Sequence, residues 1–194
     1  MGVESKSVLY DVIDKIGRER IESEIANTHN TAEIIKNIFS ACMTALRQHD
    51  YDKEKVHTEL VIALMHYLFT VCLIQAQRKF EYNNDLTIDL VIPSSRQLRK
   101  NPKHALTITI PKKIDQSSNN AQTDALKEIQ PNKENIWLVF GHYSDELMSM
   151  CKEFRTYVPD DYVKEPLRPL SSIIDDIKLF LEVNKIKNFK ILPI

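Results

Sequence analysis

Three short runs of apolar and β-branched residues, each shut off by a residue that cannot continue a strand, constrain this chain more than any other feature. Leu86-Thr87-Ile88-Asp89-Leu90-Val91-Ile92 stops at Pro93, Ala105-Leu106-Thr107-Ile108-Thr109-Ile110 stops at Pro111, and Ile136-Trp137-Leu138-Val139-Phe140 stops at Gly141. β-branched side chains pack well on a pleated surface, and proline lacks the N–H that a ladder needs. The first two runs predict neighbouring strands, and the unbroken apolar third predicts a strand covered on both faces.

Around these strands the spacing is helical. Val8, Val12, Ile16, Ile21 and Ile25 form one stripe, the polar segment Asn27 to Thr31 interrupts it, and Ile34, Ile35, Ile38, Phe39, Met43 and Leu46 form a second stripe as far as Arg47. These two predict a helical hairpin. Asp52 is placed to cap a long helix from Lys53 to Tyr82. Further helices are expected over Ala121 to Ile129, over Ser144 to Tyr157, and over Ile173 to Val183 with Ser171 as its cap. An extended connector spans Pro159 to Pro169, and Phe189 to Leu192 would be a terminal strand. The order predicts an α/β (α+β) fold, a small mixed sheet flanked by helices. Its expected parts are an N-terminal hairpin over 1–52, an α/β core over 53–158, and a segment over 159–194 packing on the same core.

Composition then removes function classes. With only three glycines in 194 residues, none clustered, the chain cannot spell a dinucleotide fingerprint, a P-loop or a nucleophile elbow. Cys42, Cys72 and Cys151 offer neither a zinc pair nor an even disulfide framework, and with no cationic segment running into an apolar core at the start, the expectation is a reducing, cytoplasmic location. Residues 60–77 carry no charge, but His66, Thr70, Gln75 and Gln77 interrupt them, which predicts a buried helix and no membrane contact. His57-Thr58-Glu59 has the H-x-E spacing of zinc deaminases but lacks P-C-x-x-C. His66 reads as a core residue, His142 as a strand-end residue, and the cysteines as packing.

From the long helix to Tyr157 the predicted order resembles the core of the restriction-endonuclease-like nucleases, the PD-(D/E)XK group. Ile88-Asp89-Leu90-Val91-Ile92 resembles that family's first strand motif, Thr109-Ile110-Pro111-Lys112-Lys113 lies in the place of the second, and Glu59 would be the helix acid. The resemblance implies Asp89, Glu59 and Lys112 as catalytic candidates and Mg²⁺ as the cofactor of an active enzyme, since that ion takes carboxylate oxygens beside a scissile phosphate. Ile110 stands where the family has a metal-binding acid, so the expectation is a vestigial site with no metal; Asp124 or Glu128 could supply a displaced acid.

The clearest charge feature is 94–113, where Arg96, Arg99, Lys100, Lys103, Lys112 and Lys113 occur without a single acid in a chain of formal net charge −1. Such a hairpin can bind a phosphate backbone, although without interleaved aromatics it offers no stacking platform. Acids predominate over 145–161, which suits docking of a protein. The expected function is non-catalytic nucleic-acid binding by a degenerate nuclease-like core, with the N-terminal helices serving a protein partner or a homodimer. The alternatives are a protein-interaction subunit without nucleic-acid contact, and an active metal-dependent nuclease with a relocated acid.

Overall fold

Asp52 holds extended backbone and its carboxylate accepts the Lys55 N–H at 3.2 Å, which starts helix α4 (Lys53–Val71) where the sequence places a cap. The computed structural model describes residues 4–27, 30–47, 50–82, 86–111, 124–143 and 153–186. α4 ends well before Tyr82. Leu73 takes the left-handed conformation at φ 52°, its N–H donates to the Thr70 carbonyl at 3.3 Å, and the Ile74 N–H donates to the Phe69 carbonyl at 2.9 Å. Those two bonds are a Schellman termination, in which glycine usually holds the left-handed place. Lys185 repeats the device after the last helix, with φ 52° and bonds from Lys185 to Glu182 and from Ile186 to Leu181.

Freed from the helix, Gln77–Tyr82 forms β1, so the expected long helix divides into a helix and a strand. β2 (Leu86–Ile92), β3 (Leu106–Thr109), β4 (Ile136–Val139), β5 (Arg155–Val158) and β6 (Arg168–Pro169) complete one six-stranded sheet whose spatial order follows the chain. The first three strands pair antiparallel and the rest parallel, with Leu90 opposite Ile108, Ile108 opposite Trp137, and Leu138 opposite Thr156. The three strands expected from the sequence therefore lie side by side. β5 occupies the end of the segment expected to be a helix over 144–157, because Thr156, Tyr157 and Val158 suit a pleated surface and Pro159 stops them. Residues 144–152 of that segment and the expected strand 189–192 lie outside the described residues.

Helices cover both faces. On one side α1 (Ser5–Ile16), α2 (Arg18–Asn27), α3 (Thr31–Leu46), α4 and α7 (Ile173–Val183) bury Leu9, Ile21, Ile35, Leu64 and Ile177 against Leu90, Ile108, Trp137 and Tyr157. Gly17, at φ 104°, breaks the first arm of the expected hairpin into α1 and α2. On the other side α5 (Ser95–Lys100) and α6 (residues 124–129) bury Leu98 and Leu126 with Phe80, Ile88, Leu138 and Val158. Burial pushes the Cys42 thiol up to about 12 and the Cys72 thiol up to about 11, so both stay protonated. The expected cap of α7 differs: Ser172 precedes the helix, and Ser171 donates its hydroxyl to Asp160 at 2.6 Å instead.

The edge strand carries a reversal. Lys79 has φ 50°, and its pairing with Asp89 drops out of an otherwise constant β1–β2 register. Ile88 packs on the α5 side and Leu90 on the α4 side, so β2 turns its side chains over at the same point. A non-glycine residue held left-handed within a strand is strained unless its surroundings fix it.

At the opposite corner, Gly141 follows β4 and meets the start of α4. A Cβ added there would stand 2.5 Å from the carbonyl carbon and oxygen of His57 and 2.9 Å from the Thr58 nitrogen. His57 is buried beside this contact, with its Nε2 3.1 Å from the Tyr51 hydroxyl. Burial, followed by the neighbouring His142 and Lys53, holds its pKa below the usual 6.5.

Three outcomes are expected. Gly141→Ala should cost about 1–3 kcal/mol in denaturant unfolding, because two backbones would have to part. Lys185→Gly should stabilise by up to about 1 kcal/mol, the left-handed cost to an L-residue less the added freedom of glycine in the unfolded chain. His57 takes up its proton less readily folded than unfolded, so its share of stability is complete above the unfolded value of 6.5 and is lost as pH falls below it. Unfolding midpoints measured from pH 8 to about pH 5 should therefore fall less steeply in His57→Gln than in the parent.

Candidate nucleic-acid interface

The acid-free segment is not an open loop. Ser94 lies in extended backbone and its hydroxyl accepts the Gln97 N–H at 3.3 Å, which caps α5, while the Ser95 N–H donates to the Gln77 side chain at 3.0 Å. Leu98 buries itself against the second core, and Arg96, Arg99 and Lys100 are left exposed around it. A short 3₁₀ turn, Pro102–His104, follows and exposes Lys103. The Arg99 guanidinium carbon lies 5.3 Å from the centre of the Phe80 ring, a cation–π contact that steadies its stem.

Two side chains far along the sequence hold this turn from below. Gln130 is fully buried and its amide donates to the Pro102 carbonyl at 2.9 Å and the Ala105 carbonyl at 2.8 Å, while the Asn132 N–H donates to its oxygen at 3.1 Å. Asn135 donates to the Lys103 carbonyl at 3.0 Å. The backbone under the cations is thereby fixed, so charges that would wander on a loop project from a rigid support. Nothing in the sequence marked Gln130 or Asn135, since single amides carry no spacing signal.

Of the candidate catalytic residues, Asp89 and Glu59 are held apart from this face. Asp89, half-buried on β2, accepts the Ile110 N–H at 2.7 Å and so caps the end of β3. The basic turn enters β3 at its other end, and the four residue-to-residue steps from Leu106 to Ile110 span roughly 13 Å of strand. Glu59 is exposed on α4 and its carboxylate accepts the Ser5 hydroxyl at 3.3 Å, in a groove towards α1. Lys112 and Lys113 lie outside the described residues.

Nor do the displaced acids join Asp89 in a cluster. Asp124 stands 3.4 Å from Lys127, which also pairs with Glu153 at 2.6 Å, and Glu128 is exposed on the same α6. The Lys127 ammonium in turn holds the Glu153 carboxyl below its ordinary range. Among the described residues no group of three or more His, Cys, Asp or Glu side chains could hold a metal ion. Mg²⁺ needs several oxygen ligands in near-octahedral array, and Asp89, with one oxygen already taken by a backbone donor, does not fit that need by itself. No helix among the described residues is long and apolar enough to cross a membrane.

No protein-family profile and no curated protein matches the chain in sequence. Solved structures do match it in shape. The restriction endonuclease PspGI in complex with substrate DNA superimposes with a TM-score of 0.64 at 14% identity, over 93% of this chain and 94% of that one. Metal-depleted Ecl18kI in complex with uncleaved DNA gives 0.58 at 10% identity, over 98% of this chain and 82% of that one. Identities this low speak to architecture, and the architecture found here is a mixed sheet with three antiparallel strands leading into a parallel half, covered by helices on both faces. The chain has the restriction-endonuclease-like fold.

Proposed function

We propose that the protein binds nucleic acid through the face carrying Arg96, Arg99, Lys100 and Lys103, and that it binds without cutting. The observation that supports this best is the acid-free basic segment, whose turn is fixed from beneath by buried Gln130 and Asn135. Both neighbours in fold, PspGI and Ecl18kI, hold DNA. Contacts of this type neutralise phosphates and release counterions, so affinity depends on salt and little on base sequence. Lys112 and Lys113, which follow Pro111 in sequence, would add to the clamp. Absence of cleavage follows from Ile110, whose side chain offers no oxygen where the second strand motif needs one to hold Mg²⁺ and orient its water.

The test is a salt titration of binding to duplex and single-stranded oligonucleotides, for the parent and for a variant with Arg96, Arg99, Lys100 and Lys103 all changed to Gln. Each residue that holds a duplex phosphate should contribute about 0.9 to the log–log slope, and the fourfold variant should lose that share whatever the sequence. Equal slopes, or no binding by the parent at low salt, would replace this function with protein interaction. A parallel time course with Mg²⁺ on plasmid DNA should show no cleavage. Cleavage that Asp89→Ala abolishes would instead establish an active nuclease with a relocated acid.

A further inference from the structure

Away from the basic face, α1, α4 and β1 enclose an open groove of about 500 Å³, within the size range of small-ligand sites. Its two ends differ in charge. At one end Glu59 accepts the Ser5 hydroxyl, with Glu4 close by on the lining. At the other, Arg78 donates through Nη2 to the His66 carbonyl at 3.3 Å and to the Thr70 hydroxyl at 3.4 Å. His66 lies seven positions beyond Glu59 on α4, which puts the two ends roughly 10 Å apart.

Lys6, Arg78 and Lys79 form no ion pair among the described residues, yet all three act on His66, whose pKa is lowered first by burial and then by Arg78, Lys79 and Lys6 in turn. Three cations that act on one half-buried imidazole and form no ion pair among the described residues repel one another, and an anion among them would reverse that repulsion. The Arg78 fork, tied down by two bonds from one nitrogen, presents its other N–H groups in the planar array that suits tetrahedral oxyanions.

We propose that the Arg78 end of this groove binds the phosphate group of a small phosphate monoester. Lys6 and Arg78 neutralise the dianion, Thr70 holds the Arg78 fork in place by accepting from it while donating its own hydroxyl to the His66 carbonyl at 2.9 Å, and His66 becomes a further donor once protonated. Glu59 and Glu4 accept hydroxyl groups at the far end of the ligand and repel a second phosphate, which favours a compact sugar phosphate over a nucleic-acid strand. The site does not depend on the basic face, since α5 packs on the opposite side of the sheet.

The experiment follows the histidine side chains by NMR during titration with inorganic phosphate, ribose 5-phosphate and a single-stranded oligonucleotide. Phosphate and ribose 5-phosphate should each shift the His66 signals saturably and raise the pH at which His66 titrates, with the sugar phosphate binding more tightly. Arg78→Gln should weaken binding about tenfold or more, the worth of a charge-assisted hydrogen bond. Lys6→Gln, at an exposed position that leaves the α4–β1 contact intact, should weaken it severalfold. The fourfold Gln variant of the basic face should bind as the parent does, which separates this site from the nucleic-acid reading. The proposal is overturned if His66 shows no saturable change up to about 10 mM of either phosphate, if the oligonucleotide binds the groove more tightly than ribose 5-phosphate, or if Lys6→Gln and Arg78→Gln bind unchanged.

Discussion

Backbone meets backbone where Gly141 touches the first turns of α4, and most of the molecule's geometry descends from that contact. A side chain of any size at this point would push the helix away from the end of β4. With the helix held there, Leu60, Leu64 and Leu68 reach the sheet, and the stripe that carries Glu59 and His66 faces α1 and β1. The same joint buries His57, so acid works against the contact that orders the rest.

What could be read from the sequence depended on whether a segment announced its own ending. β2, β3 and β4 were legible because Pro93, Pro111 and Gly141 close them, and α4 began where Asp52 said it would. The end of α4 was hidden because a leucine, and no glycine, adopts the left-handed turn. β1 was hidden in consequence, since Gln77-Arg78-Lys79 reads equally well as exposed helix. β5 was lost to an amphipathic spacing that suited a helix through Tyr157, although tertiary pairing with β4 decides otherwise.

The candidate sites divide in the same way. Charge is visible in a sequence, so Arg96, Arg99, Lys100 and Lys103 stood out, and so did the absence of acids among them. Their support was invisible, because Gln130 and Asn135 reach back across the fold to carbonyls that no local pattern connects them with. The groove beside Arg78 required β1 to be a strand, and the expectation of a helix there concealed it. Asp89 was found in its strand as expected, but its bond to Ile110 gives it a structural duty that a motif cannot show.

Lys79 has a consequence at the scale of many molecules. It turns the chain over in the middle of β1, the strand at one border of the sheet, so a second extended chain laid alongside would lose its ladder after a few residues. Among the described residues the other border, β6, is only two residues long, and Pro169 has no N–H to offer. Growth by adding strand to strand, the usual route by which open sheets polymerise into fibrils, is therefore disfavoured at both borders of the described sheet.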